Sequence, residues 1–194
     1  MMRGVMGDGS FRTPFNPRYS SHMKSDYTEG NAFQWSFFAP HDMDNFISTI
    51  GGKKELETRL DTLFTTSSQV DGEEASGDIT GLIGQYAHGN EPSHHMAYLY
   101  NWTDSPWKGQ ERLDQIMQNF YTNAPDGIIG NEDCGQMSAW YVMSALGFYQ
   151  IAPGIPVYTL GRPMIDKSAY SCKRRYFRDL GKKQQCSQQI HQRG

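Results

Sequence analysis

The 194-residue chain contains no long apolar run and few cysteines, and both absences narrow its class. No segment approaches the roughly 18 apolar residues of a membrane-spanning helix. The opening MMRGVMGDGSFRTPFNP also lacks the apolar core of a secretory signal peptide. Three cysteines, Cys134, Cys172 and Cys186, stand far apart, and this odd number indicates neither a zinc motif nor a disulfide framework. We therefore predict no membrane contact and no structural zinc.

The chain also lacks a strong excess of one charge, because its formal net charge is only −3. This balance hides an asymmetry. Residues 1–164 carry ten basic and 19 acidic side chains, whereas residues 165–194 carry eight basic and two acidic ones. The acidic body argues against nucleic acid as a partner and suits a cation or a neutral substrate. The basic tail over 167–194 has no apolar period, so we predict disorder there rather than nucleic-acid binding.

Aromatic residues and glycines are plentiful in this sequence. Phe, Trp and Tyr make up 13% of the chain, which also has 20 glycines. The glycines predict many tight loops. The aromatic residues fit either a bulky core or a platform for flat surfaces such as sugar rings, and composition leaves both interpretations open.

Helical periodicity dominates the middle of the chain. Leu56, Leu60 and Leu63 recur at i, i+4 and i+7, and Ser105-Pro106 opens a second strongly periodic segment. Shorter or more apolar helices are predicted over 42–52, 78–90, 91–103 and 135–147, the last of them buried. Residues 148–161 are predicted to be extended, with their prolines at edge or turn positions. The sum is a mainly α fold of stacked helical hairpins, with a short extended segment near the C-terminus.

Acidic residues gather where a loop meets the apolar helix predicted over 135–147. Asp126, Glu132 and Asp133 fall within eight residues. One such acid could cap the helix N-terminus, and Asp133 is well placed for that. Three acids exceed this need, and packed carboxylates repel unless a cation, a sugar hydroxyl or a proton separates them. The cluster is therefore a candidate acid/base or calcium site as well as a candidate cap.

Two further loops carry polar residues of interest. In HGNEPSHH (88–95), Asn90 and Glu91 could bind a hard cation, or Glu91 could cap a helix. The adjacent His94 and His95 point to different helix faces, so a zinc pair is not indicated. In YTEGN (27–31), Glu29 has aromatic neighbours and is either a general acid or a surface glutamate.

Two segments together resemble the exo-acting α-mannosidases of glycoside hydrolase family 92. They are TEGNAFQWSFFAPHD and the long block from HGNEPSHHMAYLYNW to YTLGRP, and the resemblance extends over about residues 20–166. It implies an N-terminal β-sandwich joined to an (α/α)6 barrel, calcium as cofactor and removal of α-linked mannose with inversion. On this basis residues 1–20 are a loop-rich lead-in, 21–166 part of the (α/α)6 domain, and 167–194 the tail. The family also implies secretion or a periplasmic location, although this chain shows no signal peptide.

The resemblance assigns roles residue by residue. Glu29 in TEGN matches the general acid, and Asp133 in GNEDCG matches the general base. The substrate pocket would include Glu91, His94, Asn131 and Glu132, and the calcium ligands would include Glu91 and Asn90. Asn131 departs from the family pattern, because some members have a second aspartate at this position. The general base Asp133 would therefore lack the help of a second carboxylate here.

These assignments leave three hypotheses about function. The first is hydrolysis of terminal α-linked mannose from glycans, of α-1,2 type, as a fragment of a larger calcium-assisted inverting enzyme that also carries the β-sandwich domain. The second is a non-catalytic helical module that binds a sugar or a partner chain. The third is an inactive truncated fragment. Mannose release supports the first, and binding without turnover supports the second.

Overall fold

The computed structural model describes residues 1–167, and all but the first residue of the predicted disordered tail lies outside the described residues. The α-helices are α1 (Ala32–Trp35), α2 (Met43–Ile50), α3 (Lys53–Thr65), α4 (Pro106–Phe120) and α5 (Gln136–Ala145). Two 3-10 helices cover Glu91–Ser93 and Met96–Trp102. Antiparallel pairs join β1 (Leu82–Ile83) to β2 (Tyr86–Ala87), and β3 (Phe148–Tyr149) to β4 (Thr159–Leu160). The prediction of a mainly α chain is confirmed. Within residues 1–167, every helix is too short or too polar to cross a membrane.

Helix α2 begins and ends at the signals that the sequence provides. The Asp42 carboxylate accepts a hydrogen bond from the backbone N–H of Asn45 and so satisfies one free donor of the first turn. At the other end Gly51 adopts a left-handed backbone with φ 109°, and the Gly52 N–H donates to the Ile47 carbonyl. This pattern closes a helix at glycine, where a left-handed backbone meets no Cβ penalty.

The core lies between α3, α4 and the second 3-10 helix. Leu56, Leu60 and Leu63 of α3 are fully buried, as their spacing predicts. Helix α4 packs along Met96–Trp102 and buries its own apolar stripe of Leu113, Ile116 and Met117. Aromatic side chains fill much of this core, among them Tyr98, Tyr100 and Trp140.

The helix predicted over 78–90 is wrong, because this segment forms the β1–β2 hairpin. Ile83 pairs with Tyr86 across a two-residue turn made by Gly84 and Gln85. Gly84 has φ 60°, and a Cβ there would stand 2.3 Å from the Leu63 carbonyl oxygen. The backbone of this turn therefore rests directly on α3, which only glycine permits.

The helix predicted to be buried over 135–147 is buried only in part. Helix α5 buries Met137, Trp140 and Ser144, whereas Val142 is 54% exposed. The neighbouring elements of residues 1–167 cover only one side of this helix. The segment predicted to be helical over 91–103 winds as two tighter 3-10 helices.

Candidate active site

The three loops that carry the predicted acids meet in the fold. Glu29 lies just before α1, Glu91 begins the first 3-10 helix, and Asp133 lies just before α5. The Asn90 amide donates a 3.1 Å hydrogen bond to the backbone carbonyl of Glu29, which joins the first loop to the second. The second and third loops are in contact at Gly89 and Gly130. A Cβ on Gly130 would stand only 3.0 Å from the Gly89 Cα.

The carboxyl groups of these loops interact with one another. The Glu91 side chain is hydrogen-bonded to Asp133 and also feels the charge of Glu29. Burial is the main cause that raises the pKa of Glu91, and the contact with Asp133 and the repulsion by both acids add to it. A pair of carboxyls in contact is stable when one of them holds a proton. The arrangement therefore places two carboxyls in contact beside a third.

Backbone strain concentrates at these acids. The non-glycine residues of the described chain with positive φ are Met23, Glu29, Glu132, Asp133 and Cys134, with φ from 48° to 65°. Such a backbone costs of order 1–3 kcal/mol per residue, and it persists only where the surrounding structure fixes it. Strain of this kind is typical of functional sites, and here it coincides with both predicted catalytic residues.

A buried polar network holds the Glu29 loop against the β1–β2 hairpin. The Asn31 side chain accepts from the backbone N–H groups of Phe33 and Gln34, and the Gln34 side chain accepts from the Asn31 N–H at 2.7 Å. This capping box fixes the start of α1. The Asn31 and Gln34 amides also donate to Gln85, at 2.9 and 2.8 Å. All three side chains are buried, so the start of α1, two residues after Glu29, is held by a satisfied network.

His94 is buried behind the acids and is held neutral. Its Nε2 donates to the His88 carbonyl at 3.0 Å, which leaves Nδ1 to accept from the Gln136 amide at 3.1 Å. Burial lowers the pKa of His94 to about 4, with a smaller opposing effect of its bond to His88. His95 points elsewhere and donates to the Phe37 carbonyl, so the two histidines diverge as predicted.

The predicted substrate residues Glu132 and Asn131 have different surroundings. Both Glu132 carboxylate oxygens accept from Ser138, one from its N–H at 3.3 Å and one from its hydroxyl at 2.9 Å. Glu132 therefore accepts a hydrogen bond from a free backbone N–H in the first turn of α5. The sequence had suggested Asp133 as the residue that caps this helix. Gly135 begins this helix without a side-chain cap. Asn131 is exposed, and its carbonyl accepts from the Asp133 N–H at 2.8 Å.

Gln136 and Tyr149 belong to the site although the sequence reasoning did not select them. The Gln136 amide bridges His94 Nδ1 and the Tyr149 hydroxyl, the latter at 3.2 Å. Burial raises the pKa of Tyr149, and the Glu91 charge contributes to this rise, so Tyr149 lies near the acids. The sequence could have indicated Gln136, because it follows Asp133 by three residues and so lies within one helical turn of it.

The donors at the site fit only part of a calcium shell. Calcium takes six to eight oxygen ligands, and Asn90, Glu91 and Asp133 offer oxygens of this hard type. Across residues 1–167, however, no group of three or more His, Cys, Asp or Glu side chains is arranged to hold a metal ion. The described residues do not complete the site.

A comparison with family models identifies the family of this chain. Residues 1–187 match the model of the glycosyl hydrolase family 92 catalytic domain. The chain belongs to this family. The match covers most of the sequence and includes all three acid-bearing loops.

Several known proteins are similar to this chain in sequence or structure. A family 92 α-mannosidase from Bacteroides thetaiotaomicron, solved in complex with mannoimidazole, is 43% identical with a TM-score of 0.79 over 87% of this chain and 22% of its own. A family 92 inverting mannosidase from that organism is 34% identical, with a TM-score of 0.65 over 84% of this chain and 22% of its own. An Arthroderma benhamiae protein named "Uncharacterized secreted glycosidase" is 26% identical over 76% of this chain and 17% of its own. The chain thus spans about a fifth of the length of these relatives.

Proposed function

We propose that this chain carries the catalytic acids of an inverting exo-α-mannosidase that removes terminal α-linked mannose from glycans. The observation that supports this most directly is the meeting of Glu29, Glu91 and Asp133 from three separate loops. Membership of family 92 and the mannosidases among its similar structures support the same substrate class.

The proposed reaction uses two of these acids. Glu29 donates a proton to the glycosidic oxygen while the bond from that oxygen to the anomeric carbon breaks. Asp133 accepts a proton from a water molecule whose oxygen forms the new bond to the opposite face of the same carbon. Free mannose of inverted configuration and the leaving alcohol are the products. An inverting enzyme needs about 6.5–9.5 Å between the two carboxyls, because the water must fit between substrate and base.

Glu91, His94, Asn131 and Glu132 remain the proposed contacts to the mannose. Glu91 is the best placed, because it is half-buried and already hydrogen-bonded to an acid that a sugar hydroxyl could replace. His94 would act through Gln136, which occupies its Nδ1. The α-1,2 linkage is part of the proposal on the family resemblance alone. The same resemblance supports an (α/α)6 arrangement of these helices and a β-sandwich domain in a full-length homologue.

Calcium is proposed as the cofactor, with Glu91 and Asn90 among its ligands. When bound, the ion would supply positive charge that stabilises neighbouring carboxylates and sugar hydroxyls in one place. Glu91 would then be ionised, and the Asn90 amide oxygen would face the ion while its NH₂ keeps the bond to Glu29. Further ligands are needed beyond these two residues.

The deciding experiment is hydrolysis of α-1,2-mannobiose by the 194-residue chain, followed by NMR with and without calcium. Initial release of β-mannose is the expected result. Initial release of α-mannose would contradict inversion, and preference for α-1,3- or α-1,6-mannobiose would contradict the linkage. Mannobiose binding without release would favour the non-catalytic sugar-binding hypothesis. Absence of both binding and release would contradict the proposed function.

A further inference from the structure

Gln136, the first residue of α5, is bonded both to the loop of Asp133 and to the loop of Glu91. Its backbone N–H donates to the Asp133 carbonyl at 3.2 Å, and its side-chain amide lies 3.1 Å from His94 Nδ1. The His94 backbone N–H in turn donates to the Glu91 carbonyl at 3.0 Å. The hydrogen-bonded path from Asp133 to Glu91 therefore passes through only two residues, Gln136 and His94.

One backbone carbonyl fixes the direction of the bonds along this path. The His88 carbonyl can only accept, so His94 Nε2 carries the hydrogen that lies between them. A neutral imidazole has a single N–H, so His94 Nδ1 must accept, and only the NH₂ of Gln136 can donate to it. The second hydrogen of that NH₂ faces the Tyr149 hydroxyl oxygen at 3.2 Å. The amide of Gln136 thus has one orientation that satisfies both partners.

The His94 end of this path is rigid. His94 is 2% exposed, and its carbonyl accepts a 2.9 Å hydrogen bond from Nε1 of the fully buried Trp140. Trp140 lies on α5, one turn after Gln136. Helix α5 therefore holds His94 at two points, at its ring through Gln136 and at its backbone through Trp140.

The Asp133 end depends on α5 for its position. Asp133 is exposed, and its backbone N–H donates to the Asn131 carbonyl within the same loop. The backbone bonds that join this loop to the helix run from Gln136 to Asp133 and from Met137 to Glu132, each at 3.2 Å. A shift of the first turn of α5 would therefore carry Asp133 with it.

We propose that Gln136 is a positioning residue, which sets the separation between Asp133 and Glu91 by fastening the first turn of α5 to His94. The inference rests on the proposed function, in which Asp133 activates the water and Glu91 contacts the mannose. A general base must lie within hydrogen-bond reach of the proton that it takes. A displacement of about 1 Å at a reacting group can cost roughly 10²-fold in rate. Gln136 affects the reaction through the position of Asp133.

The variant Gln136→Met tests this role in the 194-residue chain. Methionine has a similar length and also favours a helix, but it has no N–H to donate. We expect kcat for α-1,2-mannobiose to fall by about ten- to hundredfold and KM to stay within about threefold, because the base moves while the contacts to the sugar remain. Gln118→Met, at an exposed position on α4, is the matched control and should keep both constants within about twofold of the parent. An unchanged kcat in Gln136→Met would overturn the positioning role.

Hydrogen exchange tests the same connection without any turnover. In Gln136→Met the amides of His94 and Met137 should exchange about three- to tenfold faster than in the parent, because the two loops are no longer fastened together. The amides of Ser20 and His22 donate to the loop over 71–74, far along the chain from α5, and should exchange as in the parent. Equal exchange at His94 and Met137 in parent and variant would overturn the proposal.

The tautomer of His94 in the parent gives a further test. Nitrogen-15 NMR of the histidine side chains should show the hydrogen on Nε2 and none on Nδ1. A hydrogen on Nδ1 would mean that Gln136 presents its oxygen to His94, and it would overturn the bond direction on which the proposal depends. A parent that releases no mannose would overturn the mannosidase proposal, whereas exchange and NMR decide whether Gln136 fixes the two loops.

Discussion

The side-chain amide of Asn90 donates a 3.1 Å hydrogen bond to the backbone carbonyl of Glu29, across 61 positions of sequence. Asn90 is only 8% exposed, so this bond is shielded from solvent. It joins the loop of the proposed general acid to the loop of Glu91. The separation between the acids thus depends in part on one amide.

Asn90→Ala should therefore affect both stability and activity. Loss of the bond should lower the free energy of unfolding by about 0.5–1.5 kcal/mol. Mannose release should fall further than this stability change explains, because the Glu29 loop would no longer be held at its distance from Glu91. Urea denaturation and initial rates on mannobiose measure the two effects. Asn119→Ala, at an exposed position on α4, is the matched control and should change neither.

The two proposed catalytic acids should respond to isosteric substitution in rate rather than in stability. Glu29→Gln and Asp133→Asn keep the side-chain shape and remove the proton donor and the basic oxygen. Each should lower the rate of mannose release by about 10²–10⁴-fold, the usual contribution of general acid or base catalysis. Asp104→Asn, at an exposed turn before α4, is the control. Rates within a few-fold of the parent for Asp133→Asn would end the catalytic interpretation of that residue.

Removal of the neighbouring acid Glu132 should lower stability, beside any effect on the proposed contact to mannose. Both of its carboxylate oxygens accept hydrogen bonds from Ser138 in the first turn of α5. Glu132→Ala should lower the free energy of unfolding by about 0.5–2 kcal/mol, as loss of a helix cap does. Thermal unfolding measures this, with Glu111→Ala on the exposed face of α4 as control. Equal melting temperatures for parent and Glu132→Ala would show that the Ser138 contacts contribute nothing.

The helices of this fold could largely be predicted from the sequence, because local signals determine them. The stripe of α3, the Ser105-Pro106 start of α4 and the Gly51 end of α2 all appear where the pattern places them. The β1–β2 hairpin was mispredicted, although Gly84-Gln85 between Ile83 and Tyr86 is a typical two-residue hairpin turn. An apolar run that includes glycines is compatible with either a helix or a strand. In this segment the contact of the turn with α3 favours the hairpin.

The sequence pointed to the acids of the candidate site, whose catalytic roles stay predictions, but not to the residues that support them. Acids grouped at loop–helix junctions are visible in a sequence because one cap needs only one acid. The sequence does not show that the side chain of Glu132, and not that of Asp133, bonds to the first turn of α5. This depends on the left-handed backbone of both residues. The bridge from Gln136 to His94 and Tyr149 joins three separate segments, and local sequence carries no record of such contacts.

Calcium binding, if the proposal is right, should be linked to the protonation of Glu91. The pKa of Glu91 is raised, so as the pH falls Glu91 takes up the proton that calcium must displace at a higher pH than an ordinary glutamate does. Affinity should therefore rise with pH, and binding should release protons. Calorimetry at two pH values, in buffers of different ionisation enthalpy, measures both quantities. Glu91→Gln should weaken binding strongly, and Glu111→Gln should not. Calcium affinity that is equal in parent and Glu91→Gln would remove Glu91 from the ligand set.

The buried histidines predict that the fold loses stability in mild acid. Burial lowers the pKa of His88 to about 2 and that of His94 to about 4, and it also lowers the pKa of His95. In the unfolded chain a histidine has a pKa near 6.5. Below that pH the unfolded state binds more protons than the folded state, so stability falls as pH falls.

The size of this effect follows from the same values. Between pH 7 and pH 5, each histidine that stays neutral in the fold should cost up to about 2 kcal/mol of unfolding free energy. Glu91 opposes this trend, because its raised pKa favours the folded state at lower pH. It is a single group, whereas the pKa is lowered at three histidines.

Urea denaturation at the two pH values tests this, and His95→Gln identifies the source. Its amide can replace the donor to the Phe37 carbonyl but cannot take up a proton, so the pH-dependent loss should shrink. His41→Ala removes an exposed histidine and should leave the loss unchanged. Equal stability of the parent at pH 7 and pH 5 would show that the buried histidines do not govern its response to acid.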